Sequence, residues 1–384
     1  MDAMDLMNDR QRGLDHALPT DESPDPPSRP RPVHLVFPDE RTAEYLVAGL
    51  PLAARLVHAL VSNARGAPIS VSVAAGAWTP SRRCVDECSR LGGGSPLRLG
   101  TDAAPLRDAR VVDAREELVR LMYKVQESLG KRPPAPRSEA SSGVGLPDHT
   151  LREADRLFLL ATAKPQDGLF SRTFNRPISR SITRFLIRSA WIEPLHATAG
   201  TALIAIAMLA VMLASPAHGA LAGALLFQAA SVFDGVDGEI ARATFRTSPA
   251  GARLDSLIDA ATNLAFVAGL SANLWLRGDT SAAAAGVAGL GLLMAGLLQI
   301  GRRAQRQGEP INFEAVKVQL RRNPTRRWLV DILIWLTMRD FIAFAAALLA
   351  VLGKVIWVPF IFLGCAVCWF AAITVILART ASRS

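Results

Sequence analysis

The sequence predicts a mainly α protein, a six-helix transmembrane bundle preceded by a small cytosolic α/β domain. Half of the 384 residues are hydrophobic, a high share for a chain that also carries a long polar segment. Up to about Arg188 the chain is charged and Pro-rich, whereas from His196 onward apolar runs of membrane-spanning length recur between short polar or basic loops. Four aspartates cluster within one stretch of this apolar half, at 234, 237, 255 and 259.

The elements follow in order. Residues 1–32 are acidic and Pro-rich and read as a disordered tail; they lack the basic start, apolar core and cleavage site of a secretory signal, so the first half is expected in the cytosol. Residues 33–128 read as an α/β domain. It comprises a buried strand at Val33–Pro38, a helix over Glu40–Asn63, a strand at Ile69–Ala75, a helix over Pro80–Leu91, a short strand at Val111–Val112 and a helix over Arg115–Glu127. Residues 129–163 read as a linker, since Gly130–Gly145 is rich in Pro, Ser, Lys and Arg. Over 164–194 an interfacial helix is expected, with Arg172, Arg176, Arg180, Arg184 and Arg188 at four-residue steps forming a cationic stripe that faces anionic headgroups or solvent. Cys84 and Cys88 lie in a helical pattern and Cys365 and Cys368 in the last apolar run, which suggests buried or idle thiols and no zinc or disulfide framework.

Residues 195–384 hold six apolar spans, at about Thr198–Ser215, Ala220–Phe233, Leu254–Leu276, Ala282–Ile300, Ile332–Leu352 and Val355–Leu377. The second reads short because its polar motif continues the same helix. Arg and Lys gather before the first span, between the second and third, between the fourth and fifth and at the tail, while the alternate loops contain only Arg277 and Lys354. The positive-inside rule then puts both termini and the aspartate motif on the cytosolic side of the cytoplasmic membrane.

Four aspartates at membrane depth would cost on the order of 10 kcal/mol without compensation. A bound cation is the simplest compensation. Asp234, Asp237 and Ala241 line one stripe of the second span, Asp255 and Asp259 are four apart on the third, and a turn at Thr247–Pro249 opposes the two faces. An all-oxygen nest of this kind favours Mg²⁺ or Mn²⁺, and four carboxylates suffice for two ions. Gly238 and Gly251 weaken a helix by about 1 kcal/mol each, a cost that makes sense where a flat ligand approaches the backbone. With Ala241 they open a slot suited to a nucleotide base and ribose. Arg242, next in sequence, suits a phosphate or an acidic neighbour.

The run Asp234-x2-Asp237-Gly238-x2-Ala241-Arg242-x8-Gly251-x3-Asp255-x3-Asp259 resembles the signature of the CDP-alcohol phosphotransferase (phosphatidyltransferase) family with every fixed position filled. The resemblance covers roughly Gly168 to Leu377. It implies a membrane transferase that moves a phosphoalcohol from a CDP-alcohol to a hydroxyl acceptor and releases CMP. By the same resemblance Asp234, Asp237, Asp255 and Asp259 are metal ligands, with Asp259 also the general base. Gly238, Ala241 and Gly251 would face the cytidine, Arg242 would support the site, and dimerisation is implied. One departure is visible. Where family members often carry Pro-Asn-x-x-Thr, this chain has Pro194-Leu195-His196-Ala197-Thr198, so His196 either replaces the lost polar group or is an interfacial histidine.

The stretch Lys164–Ser179 with an α/β domain before it further resembles bifunctional inositol-phosphate cytidylyltransferase and di-inositol-phosphate phosphate synthase proteins. In this chain the first strand is followed by Asp39-Glu40-Arg41 and no Gly-rich loop, and Asp113 reads as a solvated loop acid, so the domain is read as a degenerate nucleotidyltransferase relative. The donor would be a CDP-alcohol such as CDP-diacylglycerol or CDP-inositol, the acceptor an alcohol or phosphoalcohol in phospholipid or inositol-phosphate-type synthesis. Arg253, then Arg246 and Arg339, are available for an acceptor phosphate, although topology explains cytosolic arginines equally well. The charge of +9 is assigned to the bilayer surface; no interleaved aromatics point to nucleic acid. The alternative is a non-catalytic membrane anchor or assembly subunit with a passive metal and CDP nest. A linker between the halves leads one to expect that the membrane half works without residues 1–138.

Overall fold

The structure, a computed structural model, describes residues 31–64, 69–101, 103–130, 146–164, 167–168, 170–307 and 339–381. The expected tail, apart from its last two residues, lies outside that set, as do most of Gly130–Gly145 and the first seven residues of the fifth expected span.

The N-terminal region is a parallel α/β layer. Strands β1 (Val33–Val36), β4 (Val71–Ala74), β5 (Leu97–Leu99) and β6 (Arg110–Asp113) form one sheet in the order β5-β4-β1-β6. β1 pairs in parallel with both neighbours, Leu35 standing opposite Val73 and Val112. The expected strands at 33, 69 and 111 are present, and β5 is an addition that its alternating Leu-Arg-Leu leaves inconspicuous.

The helix expected over Glu40–Asn63 is broken. Helix α1 (Glu40–Glu44) gives way to a hairpin of β2 (Leu46–Val47) and β3 (Leu50–Pro51), after which α2 runs from Leu52 to Asn63. Ala48 and Gly49 turn it with φ of 46° and 82°, the left-handed pair that a tight antiparallel hairpin demands. A Cβ on Gly49 would come within 2.8 Å of Ile187, so glycine serves both the turn and a close approach. Helix α3 covers Arg82–Leu91 and α4 covers Ala114–Ser128. A further helix, α5 (Asp148–Leu160), occupies most of the described part of the stretch expected to be a linker. Its Leu151, Ala154, Leu157 and Phe158 sit in the core at the 3.6-residue period.

The arginine stripe is divided. Ser171–Asn175 forms a π-helical turn that feeds α6 (Arg176–Leu186). Arg176 is buried against Asp167 and Glu239, and Arg184 pairs with Asp155, so acids of the protein itself take up part of the charge. Arg172 and Arg188 remain exposed.

Beyond lie α7 (Pro194–Ala214), α8 (Gly219–Ala243), α9 (Pro249–Leu276), α10 (Thr280–Gln307), α11 (Arg339–Val351) and α12 (Trp357–Ala381). Among the described residues five helices are long and apolar enough to cross a membrane, namely α7, α8, α9, α10 over Thr280–Gln299 and α12 over Trp357–Val375, and the protein is integral to a membrane. The described part of α11 has 13 residues. As expected, the second span continues unbroken through the aspartate motif.

The two halves share a core. Val236, Ile240 and Ala243 of α8 and Ala197 of α7 belong to the same buried cluster as Leu35, Leu56, Cys84, Cys88 and Leu118 of the α/β layer. A second cluster, with Phe227 stacked on Phe266 at 4.1 Å, lies deeper in the bundle. Each fully buried large apolar side chain contributes about 1.5–3 kcal/mol, so the ends of α7 and α8 gain stability from residues of the α/β layer.

Candidate active site

The site is built where α8 ends and α9 begins. α8 stops in a Schellman motif: Arg246 N–H reaches back to the Ala241 carbonyl at 2.8 Å, and Phe245 takes the left-handed position with φ of 55°. Ser248 then caps α9, its hydroxyl accepting from Gly251 N–H at 3.0 Å, with Pro249 in the first turn. This short reversal lays the two helices side by side with their acids facing.

Asp234, Asp255 and Asp259 converge, each offering a carboxylate oxygen within 4.8 Å of the others. An all-carboxylate donor set of this spacing suits a hard divalent cation. Arg339 of α11 stands beside it, its Nη1 3.1 Å from Asp234 Oδ1 and also in contact with Asp259 Oδ1, and Lys164 lines the adjoining cleft with Asp255. The three guanidinium nitrogens are buried without a hydrogen bond, and so is Asp259 Oδ1. The trio therefore collects negative charge, one buried oxygen of which has no hydrogen bond, and the residues fit a metal.

Asp237 stands outside the trio. It is buried, its Oδ2 accepting from Thr198 Oγ1 at 2.7 Å and its Oδ1 from Gly238 N–H. With Asp255 it walls a cleft of about 710 Å³ whose other walls include Gly238, Ala241, Arg242 and Gly251. The four small or supporting residues singled out in the sequence thus meet around one concavity. Asp255 belongs both to the trio and to the cleft.

Gly238 has a visible reason. A Cβ there would meet the Arg242 guanidinium at 2.8 Å, so the missing side chain lets Arg242 fold back over its own helix, where its Nε donates to the Thr162 carbonyl beyond α5. Arg246 lines the cleft while paired with Glu87 and Glu193. Arg253 is exposed on the first turn of α9 and does not line the cleft. His196 completes a capping box, its Nδ1 accepting from Glu193 N–H at 3.1 Å, with the ring edge against Trp191. The geometry thus gives His196 a capping role at the start of α7.

Glu239 escaped the sequence reading. It is fully buried on α8 and accepts from Ser179 Oγ and Thr183 Oγ1, each at 2.7 Å, and from Arg176 Nη1 at 3.1 Å. Burial opposes the charge on Arg176, but the hydrogen bonds and charges of Asp167 and Glu239 outweigh it and raise its pKa. A fifth carboxylate in an apolar span, at a variable position of the motif, was the available signal.

The α/β region holds the end of the motif helix. Arg55 of α2, 3% exposed, donates to the carbonyls of Val47, Ala48 and Ala243. Arg90 of α3 donates to those of Thr244 and Phe245, and His58 packs on the Phe245 ring at 4.1 Å between centroids. Burial lowers the Arg55 pKa to about 10, partly offset by Asp155, and the group stays cationic at neutral pH.

Residues 194–377 match the family model of CDP-alcohol phosphatidyltransferase. The chain is 33% identical over 172 residues to the bifunctional IPC transferase and DIPP synthase of Aquifex aeolicus, covering 44% of this chain and 39% of that one. It is 35% identical over 126 residues to the protein of the same description from Thermococcus kodakarensis, covering 33% and 28%. A third, from Archaeoglobus fulgidus, is 37% identical over 120 residues, covering 31% and 23%. The matched stretches span at most 39% of the length of these relatives.

Proposed function

We propose that this chain, which carries a CDP-alcohol phosphatidyltransferase domain over residues 194–377, transfers a phosphoalcohol from a CDP-alcohol to a hydroxyl acceptor and releases CMP. The observation that carries the reading is the position of Asp255, common to the three-carboxylate cluster and to the cleft lined by Gly238, Ala241, Arg242 and Gly251. A ligand with a flat base in the cleft would have its diphosphate beside that cluster. A divalent cation held by Asp234, Asp255 and Asp259, with Asp237 adjacent, would neutralise diphosphate charge there.

The chain's own residues do the rest. Thr198 and the Gly238 amide fix the Asp237 carboxylate, and Arg242, braced on Thr162, forms a cationic wall of the cleft. Asp259 accepts the acceptor's hydroxyl proton. The acceptor oxygen bonds the phosphorus distal to cytidine, the bond from that phosphorus to the bridging oxygen breaks, and the electron pair leaves with CMP. Positioning and charge complementarity supply most of the rate, because a carboxylate is a weak base.

Arg339 and Arg246 favour a phosphorylated acceptor, since each brings a guanidinium to the cluster or to the cleft. A six-span plan with both termini cytosolic accords with the charge pattern of the loops. A nucleotidyltransferase-like α/β region without cytidylyltransferase activity accords with the use of two of its acids as helix caps, Asp39 accepting from Thr42 N–H and Asp113 from Arg115 N–H. The test is CMP release by the purified full chain with Mg²⁺, across CDP-diacylglycerol and CDP-inositol donors and free and phosphorylated acceptors. One pair should turn over and Asp259→Asn should abolish it; turnover unchanged by that substitution sinks the mechanism.

A further inference from the structure

Away from the cleft, α5 and α6 meet over a second concavity of about 410 Å³, walled by Arg156 of α5 and by Arg180, Ser181 and Arg184 of α6. Arg184 Nη2 lies 3.0 Å from Asp155 Oδ2, and Arg180 Nε donates to the Arg176 carbonyl at 2.9 Å. Asp155 also accepts from Ala48 N–H, so its charge is shared with the hairpin. Arg156 is exposed, with no ion pair or hydrogen bond among the described residues. Three guanidinium groups thus gather around one concavity.

The adjoining face of α6 is apolar and uncovered. Ile178 and Phe185, seven residues apart and hence on one side of the helix, are 53% and 72% exposed, and Phe174 in the preceding turn is 51% exposed. α6 leads through the exposed Trp191 into α7, a membrane span, which sets this strip at the boundary of the bilayer. An arginine cleft and an apolar strip side by side at that level match a molecule with an anionic head and hydrocarbon tails.

We propose that the α5–α6 cleft binds the headgroup phosphate of an anionic phospholipid, whose acyl chains run along the Ile178–Phe185 strip. Guanidinium groups suit a phosphate through paired N–H donors, and the strip excludes a free phosphate as the preferred ligand.

The experiment uses the full chain in nanodiscs of neutral phosphatidylcholine with and without phosphatidylglycerol, counting retained phosphatidylglycerol by native mass spectrometry. Arg156→Gln combined with Arg180→Gln should weaken retention about thirtyfold. Phe185→Ser should weaken it as well, and Arg152→Gln, outside the cleft, should not. Retention unchanged in the double variant overturns the proposal. So does inorganic phosphate that stabilises the protein in neutral discs as much as phosphatidylglycerol does, since the cleft would then serve free anions. Each variant is first melted in neutral discs; where the double variant melts below the parent, Arg156→Gln alone is scored against a fivefold loss, roughly the share of one basic residue.

Discussion

Helix α8 bears carboxylates on two faces, and they live in opposite conditions. Glu239 is matched by Ser179, Thr183 and Arg176. Asp234, with Asp255 and Asp259 from α9, sits in a group of acids against which, among the described residues, the Arg339 guanidinium is set. A buried carboxylate whose lone pairs are met by donors is a fastener, here holding α6 to α8. Carboxylates gathered with more negative charge than the neighbouring cations match repel each other and favour a cation from outside.

The sharpest break of that contrast comes from neutralising one acid on each face. Asp255→Asn should lower CMP release by roughly 10³-fold or more while the metal-free protein keeps its melting temperature, because one like charge has gone. Glu239→Ala should do the reverse in kind, leaving the buried Ser179 and Thr183 hydroxyls unmet at about 1–3 kcal/mol each while Asp167 still holds Arg176, read as a lower melting temperature in detergent; Glu239→Gln should cost less. Equal melting of the Asp255 and Glu239 variants would erase the distinction.

Cation titration sharpens it. At a concentration about 100 times its Kd, Mg²⁺ should stabilise the wild type by about 2.7 kcal/mol, and EDTA should reverse the gain. Glu239→Gln should retain that increment and Asp255→Asn should lose most of it. Thr198→Val removes the 2.7 Å bond to Asp237 and should cut CMP release about tenfold without altering the metal-free melting temperature by more than the cost of a single hydrogen bond.

The smallest effect concerns pH. Burial holds His58 below the ordinary 6.5, a hydrogen bond with the Leu91 backbone opposes this, and Arg55 and Arg90 add to the lowering. The unfolded chain then binds the extra proton first as pH drops. The contribution of His58 is complete above 6.5 and declines as pH falls below it. Melting curves of His58→Gln and wild type should converge in that acidic window; parallel curves would remove His58 as the cause.

The membrane half was largely legible because its signals are physical necessities: runs of spanning length, flanking charge, and acids too costly to be incidental. The continuation of the second span through its polar motif was readable for the same reason. The α/β half was harder. Ala48-Gly49 broke a helix that composition alone continued, since the turn is recognised by its left-handed backbone and not by hydropathy. α5 hides in the sequence because the Pro-rich stretch before it masks the apolar period of Leu151, Ala154 and Phe158. The pairing of Glu239 with Arg176 was invisible for a deeper reason: contact between residues 63 apart is a tertiary fact.

The grip of Arg55 and Arg90 on the carbonyl end of α8 has an electrostatic meaning. A helix C-terminus carries about half a negative charge, and this one opens beside a cleft suited to phosphates. Two guanidinium groups from the α/β region cancel that pole, while α9 begins at the same cleft with its positive end. The α/β region thereby helps set the sign of the field at the aspartate cleft of the membrane helices.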